Sequence, residues 1–185
     1  MPRSSSLTRD RVALAAVDLV RAEGASALNA RRLAAALGCS TQPLFTLFDS
    51  MEKVRLAVIG EARRRFDAFV RARVDRGDVP PYKAVGLAYV AFAREERELF
   101  RLLFMRDRRG EAANDEEAWS EYVAMPQKQL GLERPAADLF HLEMWALVHG
   151  VAVMAATGYE DLSEELVSRL LTEVYQALAA GKENV

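Results

Sequence analysis

A single glycine inside the run RRLAAALGCSTQPLFTLFDSM (residues 31–51) constrains the front of this chain more than any other feature. The residues before it, Arg32 to Leu37, are mostly strong helix formers, and Gly38 can take the left-handed conformation that ends a helix. Ser40 is placed to cap a second helix beginning near Thr41, with Pro43 in the first turn, where its missing N–H costs nothing. Leu33, Leu37, Leu44 and Phe48 then face inward, while Arg31, Thr41, Gln42 and Thr46 point out. Two helices joined by a short Gly-containing turn form a helix-turn-helix, whose second helix enters the major groove of DNA.

Approach to DNA depends on where the charge lies. The 185-residue chain carries a formal net charge of −2, but residues 1–65 hold 11 Lys/Arg against 6 Asp/Glu, and the remaining 120 hold 14 against 21. A basic front and an acidic rear fit DNA binding confined to the first third. Apolar residues make up 51% and Gly plus Pro only 16 positions, which favours a helical globular protein of one or two domains. No apolar run reaches the roughly 18 residues of a membrane span. The N-terminus lacks a signal peptide's apolar segment, and one Cys rules out an internal disulfide, so a cytoplasmic location is expected.

Apolar residues at three- and four-residue steps place the other helices. Residues 1–6 read as a polar arm in which Arg3 is more readily a frayed tail than a phosphate contact. Helix one runs from about Leu7 to Ala22, with Leu7, Val12, Ala15, Ala16, Leu19 and Val20 on one face. Asp49, with Glu52 three residues on, caps a fourth helix from about Ser50 to Arg76. In its first half Val54, Leu56, Val58 and Ile59 pack against the helix-turn-helix; Phe66, Phe69 and Val70 follow as a stripe. Gly77-Asp78-Val79-Pro80-Pro81 is the clearest breaker. Helices follow at Tyr82–Ala93 and Glu95–Met105, then a charged connection over 106–118. A helix over Glu116–Gln129 comes next, which Pro126 must kink or interrupt. A long apolar helix runs from Arg134-Pro135 to about Thr157. The last opens at Asp161-Leu162-Ser163-Glu164, with Leu166, Leu170, Leu171, Val174 and Leu178 as its stripe.

The run from Gly24 through Leu56 resembles the DNA-binding domain of TetR/AcrR-family transcriptional regulators. The matching residues are Gly24, Leu28-Asn29-Ala30-Arg31-Arg32-Leu33-Ala34, Leu37-Gly38-Cys39-Ser40, Leu44-Phe45 and Phe48. Trp145, His149 and Gly150 resemble the Trp-x-x-x-His-Gly signature of one C-terminal subgroup. The resemblance implies an all-α protein, with a three-helix DNA-binding domain over 1–53 and a larger ligand-binding and dimerisation domain over 54–185. It puts Asn29 and Arg31 at phosphates, and Thr41, Gln42, Pro43, Phe45 and Thr46 on the helix that touches bases and backbone. Arg32 and Lys53, with Arg9 and Arg11 behind them, add phosphate neutralisation. Two positions depart from the pattern. Phe45 replaces the usual Tyr and loses a phosphate hydrogen bond, and Met51 stands where a Lys usually opens helix four, with Lys53 at a shifted angle. The family's dimer, a four-helix bundle of the last two helices of each subunit, corresponds to 135–157 and 162–180, and its symmetry implies a palindromic operator.

The resemblance also places an inducer cavity among helices four to eight. Phe66, Phe69, Tyr89, Phe92, Phe100, Phe104, Trp119, Tyr122, Met144, Trp145 and His149 are candidates to line it, although core packing accounts for the same residues. His141, Glu143 and His149 match no metal-ligand spacing and Cys39 is distant in sequence, so no metal or cofactor is expected. His149 reads instead as a buried hydrogen-bonding group beside close packing that Gly150 permits. Gly-x-Ser-x-Gly, a phosphate-binding Gly loop and Glu-x-x-His are absent, which argues against an enzyme. The expectation is a homodimeric ligand-responsive regulator, most simply a repressor, freed from its operator by a small apolar molecule through helix four. A helical small-molecule-binding or adaptor protein with a weakened helix-turn-helix stays open because of Phe45 and Met51.

Overall fold

In a computed structural model describing residues 7–107 and 116–182, every regular element among those residues is helical. The arm with Arg3 and positions 108–115 of the charged connection lie outside the described residues. The helices are α1 (Arg9–Glu23), α2 (Ala30–Leu37), α3 (Gln42–Leu47), α4 (Met51–Val74), α5 (Pro81–Glu95), α6 (Arg97–Phe104), α7 (Glu116–Leu130), α8 (Arg134–Thr157) and α9 (Glu164–Lys182). A short 3-10 turn, Ala25–Ala27, joins α1 to α2. The chain divides into two compact units, Met1–Asp67 with Glu96–Arg106, and Ala68–Glu95 with Asp107–Val185.

Local chemistry sets the helix ends of the first unit. Thr8 caps α1, its hydroxyl accepting from the Arg11 N–H at 3.2 Å. Asn29 caps α2 by accepting from the Arg32 N–H at 3.1 Å. Gly38, at φ 66°, ends α2 in the left-handed region, and the Cys39 N–H returns to the Ala34 carbonyl at 3.0 Å. The six residues of α3 are too few to hold a helix unaided. Leu44 and Phe48 are buried, together with Leu33, Val12, Val17, Val20, Val54 and Val58, in the core of this unit. Full burial of such a side chain contributes about 1.5–3 kcal/mol.

Three details of the first unit differ from the sequence reading. Ser40 does not cap α3, which has Thr41 at its N-cap and no side-chain capping bond. Ser50, immediately before the first helical residue, caps α4 in place of Asp49, accepting from the Lys53 N–H at 3.3 Å. Leu56 is 51% exposed, because two residues is about half a turn from both Val54 and Val58, whose side faces the core.

In the second unit α8 packs with α5, α7 and α9. Pro126 does not break α7, which continues to Leu130 with Pro126 and Val123 buried, so packing offsets the one missing backbone bond. Ser163 caps α9, accepting from the Leu166 N–H at 3.2 Å, while Asp161 pairs with Arg94 at 2.7 Å. The close approach lies at Gly86 and not at Gly150. A methyl on Gly86 would sit 3.0 Å from Leu171 Cδ1 and 3.5 Å from Val148 Cγ2, whereas Gly150 is exposed with open space around it. By length and composition α8 reaches what a bilayer span needs, although scattered polar residues keep its apolar residues from forming one unbroken run. Its buried side, Phe140, His141, Met144 and Val148 included, is accounted for as the core helix of this unit.

Glycines of opposite consequence test this account. Gly38→Ala should cost about 1 kcal/mol because a side chain at positive φ is strained. Gly60→Ala, in the interior of α4 with open space beside it, should gain about 0.5–1 kcal/mol. Chemical-denaturation midpoints report both, and shifts of the same sign would contradict it.

Candidate functional site

Residues 42, 45 and 46 are three and four apart on α3 and share one face. Gln42, Phe45 and Thr46 are all exposed there, Phe45 by 46%. The Thr46 hydroxyl donates back to the Gln42 carbonyl at 3.2 Å, and the Gln42 amide is left to the solvent side. Thr41 and Pro43 are half-buried at the start of the helix. Asn29 has both side-chain groups engaged, Oδ1 on the Arg32 N–H and Nδ2 donating to the Ala27 carbonyl at 3.3 Å, so it fixes the entry to α2. Arg31 is exposed, while Arg32 pairs with Glu23 of α1. Lys53 is exposed in the first turn of α4, and Met51 is half-buried there. Arg9 binds the end of α3, its Nε donating to the Leu47 carbonyl at 2.8 Å and its guanidinium lying 5.5 Å from the Phe48 ring. A groove of about 430 Å³ runs beside it, lined by Asp10, Phe48, Asp49, Lys53, Gly60 and Arg64 among others.

The eleven candidates for a ligand cavity are divided between the two units. Phe66, Phe100 and Phe104 belong to the first unit, with Phe104 centred 5.1 Å from each of the other two. In the second unit Phe69 meets Phe92 edge-on at 5.5 Å. Tyr89 places its hydroxyl 3.0 Å from Nδ1 of His149, and His149 stacks on Trp145 at 4.8 Å. Trp145 lies 6.4 Å from Trp119, and Met144 is buried nearby in sequence on α8. Tyr122 is 6.1 Å from His141.

His141 and Tyr82 were absent from the sequence-derived set, yet they sit at the centre of this arrangement. The Tyr82 hydroxyl lies 2.8 Å from His141 Nδ1, and the Trp119 ring is edge-on to the imidazole at 4.4 Å. A signal for them exists in the sequence. Tyr82 and Tyr89 are seven apart and His141 and His149 eight apart, each about two turns, so parallel helices can form both pairs in register. Beside them Asp138 accepts from Arg134 at 2.9 Å and from Trp119 Nε1 at 3.3 Å.

A family model described as the tetracyclin repressor-like C-terminal domain matches residues 82–178, more than half of the chain. The chain belongs to the TetR family. Its members are transcriptional regulators, and as a family they bind DNA and form dimers. Among solved structures, a protein of unknown function from Rhodococcus sp. RHA1 is similar with a TM-score of 0.78 and 22% identity, over 97% of this chain and 99% of that one. A TetR-family member from Streptomyces coelicolor A3 is similar with a TM-score of 0.65 and 19% identity, over 94% and 98%. No curated protein matches the chain.

Burial governs the titration of this TetR-family protein's two histidines. It pushes His141 down to about 4 and lowers His149 as well, and it raises Tyr82 and Tyr175. The Arg134 hydrogen bond holds Asp138 below the usual carboxylate range. An unfolded imidazole protonates near its ordinary value of about 6.5, so between about 4 and 6.5 the unfolded chain binds more protons than the folded one. The histidine contribution is therefore whole above about pH 6.5 and is lost as pH falls towards 4. Urea midpoints should drop between about pH 7.5 and about pH 5, and His141→Phe should remove most of that drop. A wild-type midpoint unchanged across that window would contradict a buried neutral His141.

Proposed function

We propose that this TetR-family chain is a ligand-responsive repressor that binds a palindromic operator as a homodimer and lets go when a small apolar molecule occupies its C-terminal half. The observation that carries this is the exposed polar face of α3, where Gln42 and Thr46 stand clear of the protein with Arg31 and Lys53 exposed on neighbouring elements. Residues 1–53 would serve DNA and residues 54–185 the ligand and the partner subunit, in the cytoplasm. Thr41, Gln42, Pro43, Phe45 and Thr46 read bases and backbone, and Arg31 and Lys53 neutralise phosphates. Asn29 and Arg32 act more indirectly, since capping and the Glu23 pair occupy their side chains.

Dimerisation through α8 and α9 is supported by Leu139, Leu142 and Trp145, which are 46%, 47% and 37% exposed on an otherwise apolar helix. Leu166, Leu170, Val174 and Leu178 of α9 are only half-buried in the single chain. The chain passes between its units within α4 after Asp67 and again at Glu95–Glu96. Glu96 then binds Arg21 of α1 at 2.6 Å, so α6 joins α4 as a lever on the DNA-binding helices. A ligand shifts only states it binds unequally, so release requires a ligand-preferred conformer in which the two recognition helices no longer match successive major grooves.

A second reading, a helical small-molecule-binding or adaptor protein with a weakened headpiece, draws on Phe45 lacking a hydroxyl and on Arg32 being paired. Fluorescence anisotropy on DNA selected from a random pool separates the two. Gln42→Ala should cost about 1–3 kcal/mol and relax preference at one base pair. Equal loss on every sequence would reject Gln42 as a base reader. Leu142→Glu should convert the dimer to a monomer in sedimentation and abolish operator binding; a dimer that persists would move the interface elsewhere.

A further inference from the structure

Among the buried side-chain atoms of the second unit that lack a hydrogen-bond partner among the described residues, two stand out, Nε2 of His141 and the hydroxyl of Tyr175, since Arg94 is ion-paired with Asp161 and Glu143 is engaged elsewhere. Buried polar groups are nearly always paired, and an unpaired one is costly. Both belong to one aromatic cluster. Tyr82 of α5 links them, its ring 5.8 Å from that of His141 and 6.1 Å from that of Tyr175. Trp119 and Tyr122 of α7 stand 4.4 and 6.1 Å from the imidazole, and His141 is only 6% exposed.

The Tyr82 contact decides which proton the imidazole carries. With the hydrogen on Nδ1, the Tyr82 oxygen would accept it, leaving both the Tyr82 hydrogen and Nε2 unpaired. With the hydroxyl donating to Nδ1, only the Nε2 N–H remains over. The second arrangement strands fewer groups, so Nε2 faces the cluster as a donor. A ligand atom meeting it must accept. Burial keeps the ring uncharged near neutral pH, and Asp138, the carboxylate whose field reaches it, is already held by Arg134 and Trp119. An ionic ligand would find no counter-charge from either group, and desolvating it would be expensive. Trp119 meets the imidazole edge-on and the tyrosine rings are tilted to their neighbours, a setting whose chemistry suits a planar aromatic guest.

We propose that Tyr82, Trp119, Tyr122, His141 and Tyr175 form a binding site for an uncharged aromatic carbonyl compound, whose oxygen accepts from Nε2 of His141 and from the Tyr175 hydroxyl. The proposal rests on the ligand-responsive reading above and names the chemistry of its effector. His141 is the selecting residue, since the N–H it offers tells a ketone from a hydrocarbon of the same shape.

Calorimetry and Trp119 fluorescence on the full chain test it, with acetophenone, ethylbenzene and benzoate as probes. Acetophenone should bind about fivefold to tenfold more tightly than ethylbenzene, the worth of one buried hydrogen bond, and benzoate more weakly than either. His141→Phe should bring acetophenone down to the level of ethylbenzene. His141→Gln, which keeps an N–H donor, should recover part of the difference, and Tyr175→Phe should lose part of it. The wild-type Nε2 nitrogen resonance should report a protonated nitrogen and move when acetophenone is added, a readout independent of whether any variant folds. Equal affinity for acetophenone and ethylbenzene, no binding of acetophenone, or an unmoved resonance overturns the site. Anisotropy on operator DNA keeps the two readings apart. Acetophenone bound with no change in DNA affinity supports the site and contradicts the effector role, whereas intact DNA binding without acetophenone binding overturns the site alone.

Discussion

Burial of Leu44 and Phe48 is the constraint on which the first unit depends. A six-residue helix has no stability of its own, so α3 exists because one of its sides is taken into the core with Leu33, Val12, Val17, Val54 and Val58. Taking that side inward forces Gln42, Phe45 and Thr46 outward. The exposed face of α3 is a by-product of core packing, held in register by the left-handed Gly38 and by Arg9 reaching across to the Leu47 carbonyl.

A comparable logic operates in the second unit with polar groups as the fasteners. Tyr82–His141 and Tyr89–His149 tie α5 to α8 at two points about two turns apart, and Gly86 between the two tyrosines lets Val148 and Leu171 come close. These bonds are directional, so they fix the register of two otherwise smooth apolar helices as dispersion alone does not. The same bonds leave Nε2 of His141 unpaired among the described residues, which makes a structural fastener into a chemically selective group.

The helices, the Gly38 turn and the extent of α8 were legible in the sequence because they follow from local rules of periodicity, propensity and breakers, and the family because particular residues of the Gly24–Leu56 run resemble its DNA-binding domain. Cap assignments were less so. Ser50 won over Asp49 because a cap must sit next to the first helical residue, and that boundary is set by tertiary packing. Leu56 was misplaced for want of a strict angular count along α4. The aromatic residues were seen as a class, but composition cannot say which of them meet, and Phe66, Phe100 and Phe104 proved to belong with the first unit. Gly86 was not singled out in the sequence, and His141 was weighed there only as a metal ligand. The role of Gly86 lies in what approaches it from another helix, and nothing in its own stretch of the chain records it, whereas the spacing of the tyrosines and histidines shows His141 only once α5 and α8 are known to pack together.

A net acidic chain must present a working basic headpiece on a symmetric pair if it is to hold an operator. Titrating DNA selected from a random pool with the purified protein at several salt concentrations, while counting chains per duplex by sedimentation, addresses it in one experiment. The account predicts two chains per duplex and a logarithm of affinity that falls linearly with the logarithm of salt, as counterions leave the neutralised phosphates. Binding by a single chain, or none even at low salt, would contradict it.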